Sequence, residues 1–170
     1  EQVKALPYVD PDRIGLIGMI HGGEIIFKLT SEYHGVRAAV ASEPANHEFL
    51  ALTPDNTAFV NEETQPRNIE DMQMAEVEKV RGRIDMDLAR QRISTIQTPI
   101  LVTGRDEDHL QGIFRTSFEL LEEAGKDAEW FSVDHDLHGY IYPIRRADGS
   151  YDLNDVQVAA IDRTIGYLDK

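Results

Sequence analysis

Residues 18–23 read Gly-Met-Ile-His-Gly-Gly, between an apolar run and an amphipathic one. This is the frame of a nucleophile elbow, Gly-x-Ser-x-Gly, in which a strand turns sharply into a helix and lifts the central side chain above the carboxyl edge of a sheet. At the tip of such a turn a serine is activated by a histidine and attacks an acyl carbon. Gly18 and Gly22 supply the small residues two places before and after the centre. The centre itself is Ile20, which has no oxygen and cannot form an acyl-enzyme. A β-branched residue is also a poor occupant of positive φ. The turn is therefore expected to be either strained or relaxed from elbow geometry, with φ well below zero as the mark of relaxation. A phosphate-binding loop fits less well. No GxGxxG or Walker pattern is present, and Glu24 sets negative charge at the helix start where a phosphate would sit.

Other residues with chemical potential read more simply. His135 with His138, and His109 beside its neighbouring acids, offer ligand atoms, but their spacing matches no strong metal motif. No metal and no cofactor is expected. Arg145-Arg146 has the chemistry to meet an anion and reads better as a surface pair. Ser42 follows a strand without an elbow and is no replacement nucleophile. Glu62-Glu63 and Glu70-Asp71 read as a solvated face.

The elements that would position these residues alternate. Arg13–Met19, Val36–Ser42, Pro99–Gly104 and Ala128–Val133 are short apolar runs bounded by turn residues, and read as strands. Glu24–Tyr33 reads as a helix with Ile25, Ile26 and Leu29 inward. Ile113–Glu123 reads as another, with Ile113, Phe114, Ser117, Phe118 and Leu121 on one face. Asn154–Leu168 reads as the last, opened by an Asn154/Gln157 capping box and striped by Val158, Ile161, Ile165 and Leu168. Strands alternating with helices predict an α/β domain, a parallel sheet of about four strands with right-handed crossovers. Residues 44–97 break the rhythm. They are too long for an ordinary connection and show helical patterning near Ile69–Ile93, which predicts a cap-like insertion over one end of the sheet.

Bulk properties narrow the function classes. The chain has 170 residues, enough for one domain, with 17 basic against 31 acidic residues and a formal charge of −14. That balance disfavours nucleic acid and anionic membranes as partners, both of which need a basic face. No stretch approaches the roughly 18 apolar residues that span a bilayer, and the polar first residues do not read as a signal peptide. The chain is expected to be soluble. It has no cysteine, which removes disulfides and thiolate metal sites and leaves the compartment open, with the cytoplasm slightly favoured.

The run from Tyr8 through Val9-Asp10-Pro11-Asp12-Arg13-Ile14-Gly15 to His21-Gly22-Gly23 resembles prolyl-oligopeptidase-like and dienelactone-hydrolase-like serine hydrolases of the α/β-hydrolase superfamily. There a "VDPDRIG" lead-in enters a "GxSHGG" elbow. Two later blocks agree in order. Ile96–Gly104 followed by Asp106-Glu107-Asp108 resembles the strand and turn carrying the acid, and His138-Gly139-Tyr140 resembles the turn carrying the catalytic histidine. The resemblance covers most of the chain and implies a partial α/β-hydrolase fold acting on a small ester or peptide substrate. It implies Ile20 as the nucleophile position, the His21 backbone amide as an oxyanion donor, His138 as general base and Asp108 as the acid, with Asp106 and Glu107 as alternatives. It also implies that earlier strands carrying a second oxyanion donor are missing. Losing one such donor typically costs about 100- to 1000-fold in rate. The elbow strand would then be an exposed sheet edge, a possible route to a homo-oligomer. With Ile20 in place, the chain is expected to be inactive as a hydrolase, a fragment or disabled copy, with a ligand- or partner-binding pseudohydrolase as the alternative.

Overall fold

A computed structural model describes residues 2–52 and 73–169. After a 3-10 turn at Val3–Ala5, the elements are β1 (Gly15–Met19), α1 (His21–Glu32), β2 (Ala38–Ser42), α2 (Val77–Arg81), α3 (Met86–Ser94), β3 (Ile100–Arg105), α4 (Gln111–Glu123), β4 (Ala128–Val133), β5 (Ile144–Arg145), β6 (Tyr151–Asp152) and α5 (Asp155–Leu168). Strands β1-β2-β3-β4 form one parallel sheet in that order, and β5 and β6 pair as a small antiparallel hairpin. The expected α/β architecture is present. Among the described residues no helix is long and apolar enough to cross a membrane.

Side chains alternate across the sheet, as the two-residue period of a strand requires. Ala39, Ala41, Ile100 and Val102 face a core shared with Ile26, Phe27, Ile113, Phe114 and Leu121. Ala38, Val40, Leu101 and Phe131 face the other way, onto Tyr140, Ala160 and Tyr167. The central strands β2 and β3 are covered on both faces, so they read as continuous apolar runs. β1 is an edge strand of this sheet, and Ile17 on it is 45% exposed.

Three sequence expectations are corrected. Helix α1 begins at His21, directly after the turn, rather than at Glu24. Its inward face is therefore Gly23, Ile26, Phe27 and Thr30, while Ile25 points to solvent. Helix α5 buries Gln157, Ala160, Thr164 and Tyr167, leaving Val158 and Ile165 exposed. The capping box sets this rotation. Gln157 accepts the Asn154 N–H and its Nε2 donates to the Tyr140 carbonyl (3.1 and 2.9 Å), so that face must turn inward. The third correction concerns the elbow glycines. A Cβ at Gly18 would lie 2.3 Å from the Gly22 carbonyl oxygen, and one at Gly23 would lie 2.8 Å from Pro44 Cα, whereas Gly22 has open space. Close approach thus demands glycine at 18 and 23.

The described parts of the 44–97 segment are built into the main core. Phe49, Leu50, Met74, Val80, Ala89 and Ile93 join the cluster beneath α1 and α4. Buried Glu24 accepts the Phe49 N–H at 2.7 Å and ties this segment to α1. The rest of the segment, including Ile69 and the acidic pairs at 62–63 and 70–71, lies outside the described residues.

Ile20 keeps the strained geometry, with φ 55° and ψ −113°. Its N–H donates to the Ser42 carbonyl at 3.0 Å, and its carbonyl accepts from Glu24 and Ala45 N–H at 3.1 Å each. These bonds, with partial burial against the core, hold a conformation that costs a non-glycine residue about 1–3 kcal/mol. Ile20→Gly is expected to be more stable than Ile20→Ala by about 1 kcal/mol, because only the alanine keeps the Cβ strain. Urea unfolding of the two variants checks this; equal midpoints would mean the turn is not strained.

Candidate active site

Backbone strain concentrates at one edge of the sheet. Among the described non-glycine residues, positive φ occurs at Ile20 just after β1, Glu43 just after β2 and Glu107 after β3, with Ala51 elsewhere. Parallel register aligns these strand ends, since Met19 pairs with Ser42 and Ser42 with Thr103. The carboxyl edge of a parallel sheet is where such folds place ligands.

His138 lies on the segment after β4 and is held to this edge. Tyr140, fully buried, donates its hydroxyl to the Gly104 carbonyl at 3.0 Å, and burial pushes its phenol pKa well up. Gly139 sits at φ 73°, where a Cβ would meet Met19 Sδ at 2.3 Å. The turn therefore packs against the end of β1, one residue from Ile20, which explains the glycine after the histidine.

Of the three candidate acids, Asp108 is the buried one, and its Oδ2 is 3.5 Å from His138 Nδ1. Arg105 donates to the same oxygen from Nε and Nη2 at 3.1 and 2.6 Å, and Leu110 N–H donates to Oδ1 at 2.7 Å. Burial raises the Asp108 carboxyl, but hydrogen bonds from His138, Leu110 and Arg105 outweigh it and hold the pKa at about 2. Asp106 is exposed and accepts from Ser132 Oγ at 2.5 Å, and Glu107 is exposed at the turn.

The residue that sequence reasoning missed is Glu43. It is fully buried, with Oε2 2.8 Å from His138 Nδ1, and the Gly139 N–H reaches its two oxygens at 3.0 and 3.1 Å. The available signal was a charged residue directly after a small, largely apolar run, Ala38–Ser42, that forms a central strand.

His21 occupies the first position of α1, where backbone N–H groups lack intrahelical partners and can face an oxyanion. Its ring is exposed and lies edge-on to His47 at 5.9 Å. His135 is a structural pin, with Nδ1 accepting Leu137 N–H and Nε2 2.9 Å from Asn154 Nδ2. Arg146 pairs with Asp152 at 2.6 Å on the exposed hairpin. Ser42 is buried and accepts from Thr103 Oγ1 at 3.0 Å.

Glu43, Asp108 and His138 each offer one ligand atom, all within 4.8 Å of one another. Arg105 argues against a cation there, because its guanidinium already sits on the Asp108 oxygen nearest the imidazole. The set works as an ion-pair network around a histidine.

The family model described as BAAT / acyl-CoA thioester hydrolase C terminal matches residues 1–141. No curated protein matches the chain significantly. Among solved structures, Porphyromonas gingivalis dipeptidyl peptidase 4 superposes with TM-score 0.57 at 20% identity, covering 98% of this chain and 21% of that one. A protein described as a dienelactone hydrolase from Klebsiella pneumoniae gives 0.54 at 16% identity, covering 95% and 53%. Pyrococcus horikoshii acylaminoacyl peptidase gives 0.52 at 15% identity, covering 82% and 22%. These likenesses show the fold, and this chain spans about half of one of those proteins and about a fifth of the other two.

Proposed function

The chain belongs to the BAAT / acyl-CoA thioester hydrolase C-terminal family, and we propose that it keeps the hydrolase site but does not acylate. The observation that carries this reading is Ile20 at the tip of the β1–α1 turn, in elbow dihedrals and without a nucleophilic atom. The geometry supports the following roles around it. His138 turns Nδ1 toward carboxylates, which leaves Nε2 as the nitrogen for proton transfer. With a serine at position 20, Nε2 takes the hydroxyl proton as Oγ attacks the acyl carbon, and the His21 N–H faces the developing oxyanion. The bond class for such a site is an ester, thioester or amide.

Ile20→Ser, probed with a fluorophosphonate, tests this. The chain as it stands is expected not to label. Ile20→Ser is expected to label, and His138→Ala added to it to slow labelling about 100- to 10,000-fold. His138-dependent turnover of aryl esters by the unaltered chain would overturn the reading.

A second reading rests on the buried Glu43–His138–Asp108–Arg105 network, an arrangement costly to keep at a site with no chemistry. It supports a site that binds acyl compounds without turning them over. Saturable calorimetric binding of an acyl ester, lost in His138→Ala, supports it. No binding together with labelling of Ile20→Ser leaves the disabled hydrolase alone.

A further inference from the structure

We propose that Glu43, rather than Asp108, is the carboxylate that positions the imidazole of His138. This rests on reading His138 as the base of the hydrolase-type site. Three observations support it. The first is distance. Glu43 Oε2 is 2.8 Å from Nδ1, whereas Asp108 Oδ2 is 3.5 Å away. The second is prior commitment. Asp108 Oδ2 already receives two N–H groups of Arg105, and Oδ1 receives Leu110 N–H, so Asp108 divides its charge between these donors and His138. The remaining Arg105 donor, Nη1, reaches the His135 and Asp136 carbonyls at 3.2 and 3.1 Å, which makes the Arg105–Asp108 pair a brace for the histidine loop.

The third is how Glu43 is built. Its N–H donates to the Thr103 carbonyl at 2.8 Å, extending the β2–β3 pairing by one residue. The backbone then turns to φ 46°, a conformation costly for a glutamate unless the surroundings hold it. Its carboxylate accepts the N–H of residue 139 and sets Oε2 2.8 Å from the ring Nδ1 of residue 138. Gripping a ring and the adjacent backbone together fixes the ring's rotation and its tautomer. The ionisable groups around the imidazole are thus Glu43 from the end of β2, and Asp108 with its partner Arg105 from the end of β3; His109 contacts the far oxygen of Asp108 at 3.5 Å.

The test needs no nucleophile. The His138 ring is titrated by NMR in the isotopically labelled chain as it stands, in Glu43→Gln and in Asp108→Asn. Glutamine keeps an oxygen for the Gly139 N–H and removes the charge. The titration midpoint is expected to fall by about 1–3 pH units in Glu43→Gln and by clearly less in Asp108→Asn. Should Glu43→Gln not fold, Glu43→Asp draws the carboxylate back by one methylene and is expected to lower the midpoint more than Asp108→Asn does. A larger fall in Asp108→Asn, or no fall on changing Glu43, overturns the proposal. Neither result touches the disabled-hydrolase reading, which stands or falls on labelling of Ile20→Ser.

Discussion

Arg105→Ala is expected to destabilise the fold by about 3–5 kcal/mol, the loss seen when one partner of a buried ion pair is removed. Asp108 has no exposed side-chain surface and Arg105 only 17%, so truncation leaves a carboxylate in the interior with too few donors. It also frees the His135 and Asp136 carbonyls from Nη1. The double variant Arg105→Ala with Asp108→Asn is expected to recover part of that loss, because the uncompensated charge is then gone. Urea unfolding of the two single variants and the double gives the coupling directly. Additive losses would mean that the pair does not act as a unit. Arg105→Lys is expected to fall well short of wild type, since an ammonium cannot reproduce a fork that spans one carboxylate oxygen and two carbonyls.

The same carboxylate sets an acid limb on stability. Its pKa is depressed from an ordinary 3.8 to about 2 in the folded state. A group lowered on folding stabilises above its unfolded value and loses that contribution as pH falls through its folded value. Asp108 is therefore expected to contribute about 2 kcal/mol above pH 4, vanishing as pH approaches 2. The readout is the stability difference between wild type and Asp108→Asn, followed from pH 6 down to pH 2. Other carboxylates titrate in both proteins and cancel. A difference that does not shrink over that window would mean the carboxylate is not held ionised by its partners.

Much of this protein was written in local sequence. Strand β4 matches its expected span, β1, β2 and β3 fall within one or two residues of theirs, and Asn154 with Gln157 caps α5 as its spacing predicts. The elbow was legible because its requirement is local, a glycine where the backbone doubles back within four residues. The absence of a nucleophile at Ile20 needed no coordinates at all. Helix rotation was less legible. Ile25 and Ile165 fit an apolar stripe, yet the turn at Ile20 and the Gln157 cap fixed each helix about its axis with those residues outward.

The arrangement around the histidine was decided only by tertiary structure. Glu43 and Gly139 are 96 positions apart, and nothing in the order of residues marks them as neighbours. Parallel pairing aligns the carboxyl ends of β1, β2 and β3, so Ile20, Glu43 and the Asp108 turn meet at one edge of the sheet. Sequence motifs pointed to the Asp106-Glu107-Asp108 turn because it follows a recognisable strand, and favoured Asp108 over its two neighbours. Burial and the Arg105 fork then gave that carboxylate another partner, and the left-handed turn after β2 brought a second one to the imidazole. Sequence alone fixes which chemical groups are present and which is missing. How near two buried charges stand, and which of them a histidine meets first, depends on packing between distant segments.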